Sequence, residues 1–236
     1  MTDNQDQPVE TGATAWQDPP AGPLLVDDVL LLLFQPSSGT IAGENTLFYV
    51  LGGAVLAELA LCGLTRVDES GRRVAAIGAE PSNDVLGSGW RYIATKPRNA
   101  QSVIAAIGPD LRAEVLDRLV DAGHLLRRRR KLMGFIPTES LTLGSGRRAE
   151  LLARVRTTLV DGADPDTRTG ATIALLSASA NLHRFDPDIP WTSSVITRAK
   201  DLENGSWSAT AAGMAVTRTT VAVITGAVLP STAANG

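Results

Sequence analysis

The chain has 236 residues, 44% hydrophobic and 20% charged, with a net charge of −3. This balance fits a folded globular chain and excludes both a disordered chain and a uniform polycation. The single cysteine, Cys62, rules out an internal disulfide and fits a reducing cytoplasm. With only His124 and His183 beside it, the usual structural zinc sites could not be completed without carboxylates. No P-loop, GxSxG, HExxH, CxxC or dinucleotide fingerprint occurs, so no enzyme, cofactor or metal is expected.

Residues 1–23 are rich in Asp, Gln, Thr, Gly and Pro and read as a disordered acidic tail. They are acidic and polar, without a basic n-region or an apolar h-region, so no secretory signal is expected. LLVDDVLLLLF (24–34) opens the globular part, with Val29–Phe34 too apolar to be anything but a short buried helix. Residues 35–39 make a turn, and residues 44–63 a long helix stopped at Gly63. Segments 47–64 and 207–229 approach the composition of a membrane span. Glu58 and Arg218 interrupt them, and both are expected to be core helices. Thr65–Val67 and Arg73–Ile77 form a hairpin, and 84–107, broken at Gly87, Gly89 and Pro97, gives two helices. Residues 147–160 are helical, 161–170 a loop, 171–183 a buried helix and 186–191 another loop. Segments 192–203 and 207–228 supply the last helices, and 231–236 a second tail. The expected fold is mainly α: a single helical domain over 24–230 with one or two small β-hairpins.

Residues 109–137 stand apart. Pro109 suits a first helical turn, and Leu111, Val115, Leu116, Leu119 and Val120 make one apolar face up to Gly123, placed for a left-handed cap. Five cations follow, Arg127, Arg128, Arg129, Arg130 and Lys131. An apolar tip comes next, with Leu132, Met133, Phe135 and Ile136 around Gly134. The window 91–156 holds fourteen Lys or Arg against six Asp or Glu, a local charge of +8 in an acidic chain. There are 19 arginines against 3 lysines. That usage fits either bidentate phosphate recognition or a genome that writes Arg for Lys.

Cations beside an apolar tip fit an anionic membrane surface. They also fit a nucleic-acid backbone, if the helix and hairpin were a winged helix. The plainer alternative packs Leu132 and Phe135 inward and leaves the arginines as a solvated edge that blocks aggregation. Elsewhere, Asp27 and Asp28 read as capping and flanking the first helix. Glu58, an acid inside an apolar helix, should find an arginine or a neighbouring helix end.

LLVDDVLLLLF (24–34), AELALCGLTRV (57–67), LDRLVDAGHL (116–125), KLMGFIP (131–137) and ATIALLSASANL (171–182) resemble, in order and spacing, segments of the Golgi phosphoprotein GPP34 family. The Arg- and Ala-rich style resembles that of actinobacterial members. The resemblance implies a hydrophobic helical core wrapped by amphipathic helices, with an exposed β-hairpin. It further implies phosphatidylinositol 4-phosphate binding, retention of membrane-protein cargo, and self-association through the hairpin. The family's headgroup positions align with Gly43, Gly52, Pro109 and Arg112, of which only Arg112 is a cation. Arg91, Arg98 and Arg127–Arg130 would supply a different, less selective anion surface. The expectation is a non-enzymatic, cytoplasmic protein that binds anionic membranes reversibly and serves in protein sorting. A homo-oligomer through 127–137 is a further expectation. A protein scaffold without lipid binding is the alternative, and a nucleic-acid partner is disfavoured.

Overall fold

The computed structural model describes residues 22–132, 136–206 and 211–227, with backbone alone at 129–132, 136–139, 211–212 and 226–227. Among these residues it holds eight α-helices and three small antiparallel sheets. The expected tails lie almost wholly outside the described residues.

Helix α1, Leu25–Leu33, is buried over its whole length, as its continuous apolar run requires. A two-residue hairpin follows, β1 (Phe34–Gln35) against β2 (Thr40–Ile41). A 3-10 turn over Glu44–Thr46 then leads into α2, Leu47–Leu61. Helix α2 is apolar on every side, which suits only a central position. It packs against α1 and against four helices that follow, α3 (Asp84–Ala94), α4 (Ala100–Asp121), α6 (Thr167–Ala178) and α8 (Ala211–Ala227). Two glycines in α2 let those neighbours approach closely. A Cβ on Gly52 would stand 3.1 Å from Ile104 of α4, and one on Gly53 2.8 Å from Leu175 of α6. Residues 44–61 are long and apolar enough to cross a bilayer, but 67% of that window is buried inside the protein.

The hairpin expected at 65–77 is present as β3 (Thr65–Val67) and β4 (Arg73–Ala76). The sequence reading did not foresee its third strand, β5 (Arg98–Asn99), which pairs with β4. Helix α4 also differs from expectation. It begins at Ala100 rather than Pro109 and runs through Pro109 as one 22-residue helix. Proline removes one intrahelical hydrogen bond, but burial of Val103, Ile104, Ile107, Leu111 and Val115 along one stripe holds both halves in line. Gly123, at φ +71°, ends α4 as expected. The Gly123 and His124 N–H groups donate to the Val120 and Leu119 carbonyls, both at 2.9 Å, closing the last turn. Strands β6 (Leu125–Leu132) and β7 (Ile136–Leu143) then form a ribbon that, among the described residues, pairs with no other strand. Helices α5 (Arg147–Leu159) and α7 (Ser193–Glu203) complete the shell. Helix α6 starts inside the expected 161–170 loop, because the Asp166 side chain accepts a hydrogen bond from Thr169 N–H and caps it at residue 167.

Candidate anion-facing site

The cationic run 127–131 occupies β6, directly after the capped end of α4. Leu125 is fully buried and anchors the strand, while Leu126 and Leu143 stand exposed at the base of the ribbon. Side chains alternate along a strand, so positions 127, 129 and 131 belong to one face of the ribbon and 128, 130 and 132 to the other. The run is therefore not one five-cation face, as its linear order suggested. Nor are all five charges free. Arg127 pairs with Asp117 of α4. Arg128 is exposed, and its carbonyl accepts a hydrogen bond from Ser140 Oγ at 3.3 Å. Leu132 pairs with Ile136 where the ribbon ends. Met133 and Phe135, named as the apolar tip, lie outside the described residues.

The other expected headgroup cations are held separately. Arg112, on α4, forks onto Glu44 of the turn before α2, with Nε 3.0 Å from Oε2 and Nη2 2.8 Å from Oε1. That hydrogen bonding raises the Arg112 pKa further above its ordinary value. Both partners are half exposed, so the pair is worth little as stability, but it occupies the guanidinium fork. Arg91, on α3, pairs with Glu80 at 2.6 Å. The aligned pocket positions are closely packed. A Cβ on Gly43 would stand 2.3 Å from the Asn181 amide oxygen, and Gly52 lies against Ile104. The structure thus brings no cluster of arginines together at positions 43, 52, 109 and 112.

The interior holds a charge network that the sequence only half disclosed. Asp27 Oδ2 accepts the Leu24 N–H at 2.8 Å, as expected of a helix-flanking acid. It also takes both prongs of Arg118, at 3.1 and 2.8 Å. Asp28 accepts from Arg147 at 2.6 and 2.8 Å and from Arg168 at 3.2 Å. Burial raises the Asp28 pKa, and these two arginines pull it back only in part. Glu58 fulfils both expectations at once: it accepts from Arg168 at 3.0 Å and from the Leu25 N–H at the start of α1. Arg168 completes the link by donating to the Pro23 carbonyl at 2.7 Å. Through these six side chains α1 is tied to α2, α4, α5 and α6. The network is a clamp on the first helix, and the long-range identity of its arginines was invisible in any local motif.

Among the described residues, no three His, Cys, Asp or Glu side chains are grouped to hold a metal ion. His124 Nδ1 lies 2.8 Å from Ser145 Oγ, a polar contact at the ribbon base. Among the described residues, no carboxylate hydrogen-bonds to this imidazole to complete a triad with Ser145.

No curated protein matches the chain. The sequence pattern of the Golgi phosphoprotein 3 (GPP34) family matches residues 25–219, from the first residue of α1 well into α8. That span takes in the clamp, the central helix and the whole ribbon. The chain belongs to the Golgi phosphoprotein 3 (GPP34) family.

Proposed function

We propose that this protein is a non-enzymatic peripheral module that docks reversibly on anionic membranes through the β6–β7 ribbon. The observation that carries the reading is the ribbon itself. It is a solitary pair of strands with five consecutive cations and a link whose sequence, LMGFI, is apolar. Each cation near an anionic surface contributes about 1 kcal/mol. With Arg127 held on Asp117, the other four would supply about 4 kcal/mol. Burial of one Phe adds about 2 kcal/mol. A total near 6 kcal/mol corresponds to weak, reversible and salt-sensitive binding. Family membership supports the same reading. A selective phosphoinositide pocket receives no such support, since Arg112 is already forked by Glu44. The reading places the protein on the cytoplasmic face of a membrane, where a membrane-protein cargo could be held beside it.

The test is co-sedimentation with neutral vesicles, with phosphatidylserine vesicles and with phosphatidylinositol 4-phosphate vesicles, at low and physiological salt. Binding to both anionic types, fading with salt and lost in Phe135→Asp, is the expected result. Selective binding to the phosphoinositide would demand a pocket elsewhere. Binding to no vesicle would refute the membrane reading. It would favour the second one, a scaffold that joins copies or partners through the unpaired outer edges of the ribbon.

A further inference from the structure

Four exposed arginines are matched to a carboxylate, Arg91 to Glu80, Arg112 to Glu44, Arg127 to Asp117 and Arg156 to Asp161, while others such as Arg66, Arg154 and Arg184 make no ion pair among the described residues. One place gathers several unmatched cations around a single cavity. Pairing of β4 with β5 sets Arg73 opposite Asn99 and Val74 opposite Arg98. It thereby brings the Arg72–Arg73 end of one hairpin against the Lys96–Asn99 segment that leads into α4. Between them lies an open cleft of about 600 Å³, lined by Arg72, Arg73, Lys96, Arg98 and Ser102 among others. No carboxylate lines it. Among the described residues, none of these four cations makes an ion pair within 4 Å.

The cleft is organised rather than accidental. Arg98 is half-buried and held by neutral groups only. Its Nε donates to the Tyr92 carbonyl at 2.9 Å and its Nη2 to Thr95 Oγ1 at 3.3 Å, while the guanidinium stacks 4.1 Å over the Tyr92 ring. Its position is fixed and its charge is left unmatched. The nearest acid of the hairpin, Asp68, is committed to the turn. It accepts from Ser70 Oγ at 2.8 Å and from the Arg72 and Arg73 N–H groups at 3.0 and 3.2 Å. It tempers Arg73 without neutralising the cluster, and exposed Glu69 beside it adds a second negative charge. The first turn of the 22-residue α4 opens here as well. Asn99 caps the Gln101 N–H at 2.9 Å, and Ser102 in the same turn carries an uncommitted hydroxyl. Four cations lining one cleft repel one another unless an anion joins them, and a helix start adds to that positive potential. With the Arg98 Nε and Nη2 already engaged, the forks of Arg72 and Arg73 beside Lys96 still exceed what one carboxylate would use. They match the several oxygens and higher charge of a phosphate monoester or pyrophosphate.

We infer that the cleft between the β3–β4 turn, β5 and the start of α4 is a binding site for a phosphomonoester or pyrophosphate group. The group can be carried by a soluble phosphorylated compound or by a lipid headgroup. The site does not depend on the ribbon. At 1.5 Å per residue, α4 separates the cleft from the base of β6 by about 33 Å.

Isothermal titration with pyrophosphate, inositol trisphosphate and acetate, at low and physiological salt, tests the inference. The proteins compared are the wild type, the exposed-charge variant Arg72→Glu/Lys96→Glu, and Arg128→Glu on the ribbon, with melting curves confirming that each is folded. The expected result is binding of both phosphate compounds, with acetate weaker by tenfold or more. Affinity should fall at least tenfold in the cleft variant and stay unchanged in Arg128→Glu. Vesicles containing phosphatidylinositol 4-phosphate separate the two sources. Vesicle binding that falls in the cleft variant assigns the site to a headgroup, and vesicle binding that persists assigns it to a soluble compound. No heat with either phosphate compound, or equal affinity in the cleft variant and the wild type, would overturn the inference. Neither result would bear on the ribbon, which Phe135→Asp tests separately.

Discussion

Replacing Arg168 with methionine keeps most of its aliphatic volume and removes one guanidinium that serves two buried carboxylates and the Pro23 carbonyl. Asp28 and Glu58 have side chains only 2% exposed, while Arg168 is 29% exposed and reaches solvent on one side. Burial works against the Arg168 charge, but Glu58 and Asp28 together hold its pKa above the ordinary value. Removing one partner of a buried ion pair typically costs 3–5 kcal/mol, because the other charge stays behind unpaired. Here Asp28 keeps Arg147 and Glu58 keeps the Leu25 N–H, so the low end, about 3 kcal/mol, is expected. For a chain of this size that corresponds to a fall in Tm of about 6–12 °C. Urea unfolding followed by circular dichroism should show a lower midpoint at an unchanged slope. The double variant Arg168→Met/Glu58→Gln supplies the diagnostic comparison. Glutamine can still accept from Leu25, and no unpaired carboxylate remains. The double variant should therefore be less destabilised than the sum of the singles by about 1–2 kcal/mol. A loss below about 1 kcal/mol in Arg168→Met, or strict additivity in the double, would refute the clamp.

Three further outcomes follow from the same geometry. Gly108→Ala should lower the Tm even though alanine is the better helix former by about 1 kcal/mol, because its Cβ would lie 2.6 Å from the Phe48 carbonyl oxygen; a raised Tm by scanning fluorimetry would contradict the close α2–α4 contact. Glu44→Gln should change stability by less than about 1 kcal/mol and release Arg112. Vesicle binding at low salt should then rise if Arg112 faces the membrane, and an unchanged affinity would remove Arg112 from the lipid surface. For Asp28, burial raises the folded pKa above its ordinary 3.8, so the folded state holds this proton more tightly than the unfolded chain. Its stabilising contribution is therefore full below 3.8 and lost as pH rises through the folded pKa. Asp28→Asn should abolish that part of the pH dependence. Parallel stability–pH curves for the variant and the wild type would count against it.

The local signals in this chain were reliable where a single stretch carries its own cause. The apolar run 24–34, the long helix up to Gly63, the hairpin of Thr65–Val67 and Arg73–Ile77 and the glycine stop at Gly123 are each encoded within about one helical turn or hairpin. All four appear where the spacing placed them. The family pattern was legible for the same reason, as a series of short segments in order. What depended on distant partners was not legible. Asp27 and Asp28 read only as helix-flanking acids and Glu58 as one seeking an arginine or a helix end, and their partners Arg118, Arg147 and Arg168 stand 91 to 140 residues away from them. Likewise, only the register of the ribbon splits the run 127–131 between two faces, and only the approach of the Glu44 turn to α4 occupies Arg112. Pro109 looked like a helix start because its ring ends the pattern locally. The stripe from Val103 to Val115, packed on α2, overrides it. The two-residue strand at Arg98–Asn99 carries no signal of its own, yet its pairing gathers the four cations of the cleft. Periodicity and caps are properties of neighbouring residues and can be read along the chain. Charge pairing, close approach and strand register are properties of space, and they arise only when the apolar helices collapse around α2.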